Sequence, residues 1–272
     1  MPELPEVETT RRGIAPSLEG RRIERAVLRE RRLRWPVPPD FERQLAGRRI
    51  TGVERRAKYL LIRTDGGTLL AHLGMSGSLR VLAKALPPRP HDHVDLVLDS
   101  GRVLRFNDPR RFGSLHWVTG DPGAHPLLAG LGPEPLGPDF DGEYLWRRAR
   151  GRRVAIKLFI MNAQVVVGVG NIYASEALFR AGIRPTTPAG RLSRARMDKI
   201  AQAIRDVLSE AIRVGGTTLR DYVNPDGAPG YFRQELFVYE RADEACRRCG
   251  APIRHRVLGQ RSTYWCPACQ PA

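Results

Sequence analysis

All four cysteines of this 272-residue chain fall in its last 27 residues, as Cys246-x-x-Cys249 and, sixteen residues later, Cys266-x-x-Cys269. Each C-x-x-C turn aims two sulfurs at one ion, and two such turns complete a tetrahedron. The spacing therefore predicts a ribbon closed around one structural zinc ion. Four thiolates leave no open coordination position, which argues against a catalytic zinc. The competing reading is two disulfides or incidental thiols, and the spacing and the cysteine-free first 245 residues weigh against it. Between the two knuckles, IRHRVLGQRSTYW alternates as a hairpin does, with Gly259-Gln260-Arg261 at its tip. On spacing alone, Arg261 reads as a solvated hairpin arginine rather than a cation delivered to a ligand.

Lys and Arg number 45 against 29 Asp and Glu, a net charge of +16, so a polyanionic partner is expected. Hydrophobic residues at 42% and charged residues at 27% are globular values, so the excess charge sits on a folded body rather than on a disordered basic tail. The length suits one large domain or two ordinary ones. The sequence has no apolar run of membrane-spanning length, and MPELPEVETTRR opens with acids where a signal peptide needs bases. A soluble, cytoplasmic protein is the expectation.

Leu4, Val7, Ile14 and Leu18, with Pro5, Glu6 and Glu8 in the first turn, predict an amphipathic helix almost at the terminus. From about residue 22 to 118 the pattern changes to short apolar runs such as YLLIR, TLLAHL, HVDLVL and RVLRF. Turn signals Asp65-Gly66-Gly67 and Asp99-Ser100-Gly101 separate them, which predicts antiparallel hairpins in a sandwich or barrel. LGPEPLGPDFDG, Leu131 to Gly142, has neither periodicity and marks a domain boundary. Residues 143 to 214 read as helical, the last helix opening on Ser193 as N-cap and closing on Gly215-Gly216. The fold class is α+β. The expected division is 1–132, a linker over 133–142, a helical domain over 143–235 and a zinc domain over 236–272.

Two further features carry chemistry. Arg147, Arg148, Arg150, Arg152, Arg153 and Lys157 place six cations within eleven residues, a cluster suited to phosphates, although charge runs are commonly only solvated faces. Just downstream, VVVGVGNIYASEALFRAGIRP sets Asn171 to cap a helix whose free N–H groups face an anion. No βαβ unit precedes these glycines, so a dinucleotide fold does not fit. At the other end, removal of Met1 would expose the secondary amine of Pro2, far more deprotonated at neutral pH than a lysine and able to form an iminium with a sugar carbon. Glu3 beside it is a candidate proton donor. Composition alone makes this a thin case.

The motifs MPELPEVETTRRG, RRAKYLL, HLGMSGSLR, HDHVDLVL, DPRRFG, LGPEPL, GVGNIYASE and GGTTLRDY, followed by the cysteine ribbon, occur in this order from end to end. In this the chain resembles the bacterial formamidopyrimidine-DNA glycosylases. The resemblance implies an N-terminal helix with a β-sandwich, a helix-two-turns-helix domain and a zinc finger. It also implies a bifunctional glycosylase/AP lyase of base excision repair that removes oxidised purines from duplex DNA and cleaves the strand by β,δ-elimination. It makes Pro2 the nucleophile, Glu3 its acid, Lys58 a general acid/base and Arg261 a phosphate-gripping residue of elimination. Met75, Arg110 and Phe112 become the trio that fills the gap left by a flipped nucleotide. His91, Arg152, Lys157 and Asn171 become DNA contacts, and Thr217 to Tyr231 the loop over the everted base. Taken singly, Met75 and Phe112 also read as core, Lys58 as a strand-edge lysine and His91 as a turn histidine. Leu158 and Asn162 depart from the proline and aspartate usual in the family. The resemblance further implies a monomer with one zinc ion and no organic cofactor, acting on duplex DNA with oxidised purines or abasic sites at the bacterial nucleoid.

Two other readings compete. Endonuclease VIII-like relatives share the Pro-Glu start and the ribbon but prefer oxidised pyrimidines; Leu4 and the Met75, Arg110 and Phe112 trio favour the purine branch. A zinc-ribbon DNA-binding protein without chemistry explains the charge and the cysteines, but not Pro2, Glu3 and Lys58 together.

Overall fold

The computed structural model describes residues 2–215 and 236–272, which fall into two compact units. One holds the chain to Ala129; the other begins at Gly130 and includes the C-terminal residues to Ala272.

The first unit opens with α1 (Leu4–Leu18), followed by β1 (Ile23–Leu28), α2 (Phe41–Leu45), β2 (Ile50–Arg56), β3 (Tyr59–Thr64), β4 (Gly67–His72), β5 (Ser78–Leu82), β6 (Asp92–Leu98), β7 (Val103–Asn107), β8 (Ser114–Val118) and the single turn α3 (Pro126–Ala129). The strands form two four-stranded antiparallel sheets, in the orders β1-β6-β7-β5 and β2-β3-β4-β8. This is a sandwich, not a closed barrel. The inward-facing residues of both sheets, among them Leu60, Ile62, Leu69, Leu96, Leu104, Phe106 and Leu115, share one core with Val7, Ile14 and Leu18 of α1. The expected apolar stripe of α1 is the buried one: Leu4, Ile14 and Leu18 are fully inaccessible. Asp65 and Gly66 form the turn joining β3 to β4, where Thr64 pairs with Gly67. Asp99 to Gly101 join β6 to β7. The sequence reading passed over α2, β1, β2, β5 and β8.

The second unit contains α4 (Gly142–Ala149), α5 (Ile156–Met161), α6 (Asn171–Ala181), α7 (Arg194–Arg213) and the hairpin β9 (Arg254–Leu258) with β10 (Arg261–Trp265). Ser193 caps α7 as expected, its hydroxyl accepting from the Arg196 amide at 3.3 Å. Helix α6 ends on Gly182 at φ 68°, the left-handed turn that glycine adopts without a Cβ clash. The hairpin packs on α6, where Phe179 joins Val238, Ile253, Cys246 and Cys266 in a second small core. No helix among the described residues is long and apolar enough to cross a membrane.

Candidate functional site

In the first unit, Pro2 and Glu3 are buried, and Glu3 is the N-cap of α1. Its amide donates to Glu6 Oε2 at 2.8 Å, so the side chain of the helix's first turn fixes the start of the chain. Contacts between α1 and β2 climb in order: Val53 N to Glu19 Oε1, Arg11 to Val53 O, then Arg55 Nε to Glu8 Oε2. Continued, this series carries the turn after Arg56 toward the N-terminal end of α1. That turn is only Ala57-Lys58, since Arg56 pairs directly with Tyr59, and Ala57 adopts φ 55°. A residue with a Cβ is held there at some cost in strain, which fixes where Lys58 leaves the backbone.

His72, which the sequence reading overlooked, lies beside this turn. It pairs with Tyr59 across the sheet, ring centroids 4.8 Å apart, and its Nδ1 accepts from the Gly74 amide at 3.0 Å. Burial first, and then the cations of Lys58 and Arg34, hold its pKa down at about 4. It is therefore a neutral imidazole whose proton sits on Nε2.

Three candidate contact loops meet on one buried residue. Asp108, fully inaccessible, accepts from Ser76 Oγ at 2.8 Å and from the Gly113 amide at 2.7 Å. Its own amide donates to His91 O at 3.1 Å. The loops of Met75, Arg110 and Phe112 are thus tied to the Asp108 carboxylate, and that of His91 to its backbone amide. The loops also touch directly: a Cβ on Gly74, at φ 66°, would lie 2.4 Å from the Gly113 nitrogen. Phe112 is 40% exposed, with the Arg110 guanidinium 4.9 Å from its ring centre, so it is not a core residue. His91 is exposed at φ 70°. Asp108 is a further residue the sequence reading missed, although it opens DPRRFG.

In the second unit, two expectations need correcting. Lys157 is not part of a surface cluster: it is fully buried, and Nζ donates to Asn171 Oδ1 at 2.6 Å, Ser262 O at 2.7 Å and Thr263 Oγ1 at 2.8 Å. Its charge is matched by three acceptors because the hairpin folds over it. Asn171 is not a cap either; Gly170 is the N-cap, and the Asn171 amide oxygen is taken by the ammonium, a stronger partner than a helical N–H. Arg152 remains on the exposed turn after α4 and, among the described residues, forms no ion pair, whereas Arg147 pairs with Glu143 and Arg150 lies over Trp146.

Arg261 begins β10 after a tight turn in which Gly259 and Gln260 both have positive φ, the geometry that suits a two-residue hairpin. Leu158 lies against this turn, and a Cβ on Gly259 would approach its methyls to 2.9 Å. Lys157 and Leu158 together prop the hairpin that carries Arg261. Asn162 ends α5 and accepts from the Gln164 amide at 2.9 Å, a turn that an aspartate would make equally well.

The four cysteine sulfurs lie within 4.8 Å of one another, with Cys246 to Cys269 at 3.9 Å and Cys249 to Cys266 at 3.4 Å. Four sulfurs at about 2.3 Å from a common zinc would be spaced about 3.8 Å apart, so the donor set fits the ion. Two buried side chains hold the ribbon to the helices. Glu176 of α6 accepts from the amides of Phe237, Val238 and Tyr239 at 2.9, 3.0 and 2.9 Å, and Gln270 donates to Ile183 O at 2.8 Å. The stretch Thr217 to Tyr231 lies outside the described residues.

Family models match along the chain: the formamidopyrimidine-DNA glycosylase N-terminal domain over residues 1–115, the corresponding H2TH domain over 131–223, and the zinc finger found in FPG and IleRS over 243–272. The formamidopyrimidine-DNA glycosylase of Stutzerimonas stutzeri is 61% identical over 99% of this chain and 100% of its own, and that of Thioalkalivibrio sulfidiphilus is 63% identical over the same shares. Among solved structures, MutM (Fpg) from Thermus thermophilus aligns with a TM-score of 0.88 at 42% identity, covering 99% of this chain and 98% of its own. Lactococcus lactis Fpg in complex with abasic-site DNA gives 0.90 at 32% identity, covering 99% and 100%. Fold, donor set and relatives together define a zinc-finger DNA glycosylase of base excision repair. Within that class the chain belongs to the formamidopyrimidine-DNA glycosylase family.

Proposed function

We propose that the secondary amine of Pro2, freed by loss of Met1, attacks C1′ of an oxidised purine nucleotide in duplex DNA. The glycosidic bond breaks with its electron pair leaving on the base, which takes up a proton. Glu3 then protonates O4′ as the sugar ring opens, giving an iminium between Pro2 and C1′. The iminium acidifies the C2′ proton; its removal expels the 3′ phosphate, and loss of the C4′ proton then expels the 5′ phosphate. Water hydrolyses the iminium and returns the amine. Lys58 moves protons in the elimination steps, and Arg261 grips phosphate. Met75, Arg110 and Phe112 fill the vacated stack, while His91, Arg152 and Asn171 contact the backbone. Lys157 serves by holding Asn171 and the hairpin. The protein works as a monomer on duplexes bearing oxidised purines or abasic sites, in the bacterial cytoplasm at the nucleoid, with a catalytic domain to residue 132, a linker over 133–142, a helical DNA-binding domain over 143–235 and a zinc domain from 236.

The observation that carries this reading is the Glu3 amide bound to Glu6, which holds the residue after Pro2 rigid at the start of a packed helix. Borohydride reduction during incubation with 8-oxoguanine duplex tests it. Protein lacking Met1 is expected to trap covalently, and protein retaining it to bind without trapping, because an acylated proline nitrogen is not nucleophilic. Equal trapping by both forms would sink the assignment.

A further inference from the structure

On the first unit, α1, β5 and the segment 83–90 line an open cavity of about 600 Å³, the size of a small-ligand site. Its lining carries five cations, with Lys84, Arg89 and Arg102 exposed and Arg80 and Arg105 more buried, and one carboxylate, Asp92. Among them stand the apolar residues Val81, Leu82, Leu86 and Pro87.

The two more buried arginines behave differently. Arg105 is saturated: it pairs with Asp95 and Asp92 and donates to Leu86 O at 2.7 Å and Pro87 O at 3.2 Å, so it holds the 83–90 segment in place as a wall. Arg80 makes a long contact to Asp92, 3.4 Å, and its buried Nε has no partner. Of the exposed cations, Arg102 donates only to Ser17 Oγ, and none of the three forms an ion pair among the described residues. Such a cavity supplies charge for phosphates and apolar side chains against which a ring can pack. It is separate from the proposed chemistry, since Gly13 and Ser17 line it about 14 and 20 Å along α1 from Leu4 at about 1.5 Å per residue.

We propose that this cavity binds a free nucleoside triphosphate, its phosphates on Lys84, Arg89 and Arg102 and its base against Val81, Leu82 and Pro87. A duplex backbone presents the same phosphate chemistry, but the cavity has the volume of a small-ligand site and an apolar part to its lining, which favours a small molecule.

The test is calorimetric titration of the full-length, zinc-loaded protein with ATP. One equivalent is expected to bind, about tenfold more weakly in the Lys84→Ala/Arg89→Ala variant and unchanged in the charge-matched Arg43→Ala/Arg49→Ala variant. Saturation with undamaged duplex should leave ATP binding intact, and ATP should protect Lys84 of the native protein from acetylation. Excision by the Lys84→Ala/Arg89→Ala variant without nucleotide should match the native protein, so the pocket and the glycosylase reading can fail separately. Equal weakening in both variants, displacement of ATP by duplex, or an unprotected Lys84 would overturn the proposal.

Discussion

His72 is kept uncharged at neutral pH by burial and by its cationic neighbours. The unfolded chain takes up this proton near pH 6.5 whereas the folded one refuses it until about 4. Its contribution to stability is therefore complete above about pH 6.5 and declines toward pH 4, by at most about 3 kcal/mol. His116, lowered by burial, acts with the same sign. Glu8 and Asp95, held low by their arginine partners against the raising effect of burial, lose their contribution only below their unfolded values of 4.5 and 3.8, whereas Glu176, raised by burial, takes up its proton above 4.5 and there opposes the histidines. Urea midpoints at pH 7.5 and 5 should fall less for His72→Gln than for the native protein. A second residue-scale expectation separates Phe112 and Arg110 from Arg152. Phe112→Ala and Arg110→Ala should lower excision from duplex while leaving binding to undamaged DNA nearly intact. Arg152→Ala should weaken both and reduce the salt slope by about one unit, which a salt series on lesion and undamaged duplexes would measure. Unfolding of Phe112→Ala would contradict its 40% exposure.

At the scale of elements, α5 acts as a bracket for the ribbon hairpin. Lys157→Met would remove the ammonium and strand the Asn171, Ser262 and Thr263 oxygens, a loss of about 1–3 kcal/mol per buried group left unpaired. The expected result is weaker DNA binding with zinc content unchanged, measured by fluorescence anisotropy beside metal analysis. The same contacts explain what the sequence made legible. Short apolar runs bounded by turn signals revealed β3, β4, β6 and β7, and alternation between the knuckles revealed the ribbon hairpin, because these signals are local. Strands β1, β2, β5 and β8 are irregular in pattern, and the five-residue α2 is too short to show a period. The roles of Asp108, Glu176 and His72 depend on residues 32 to 63 positions away or on a neighbouring turn, so no local window contains them. Asn171 shows the opposite failure: a sound local rule for capping was overridden by a buried lysine arriving from another helix.

At the scale of the whole molecule, two separately packed units and a metal-closed ribbon imply that damage stays where it is made. Cys249→Ser should lose zinc and weaken DNA binding, since the ribbon shares its core with Phe179 of α6. The sandwich has its own core and should still melt cooperatively, which calorimetry with and without a chelator would show. A metal-free protein with unchanged affinity would contradict this. The contact of Gly74 with Gly113 carries a consequence for protein engineering. With no room for even a methyl group between the two backbones, neither loop can be lengthened, randomised or exchanged by itself. Selection for new lesion preferences would have to vary both loops, with the shared aspartate retained, as a single inherited cassette.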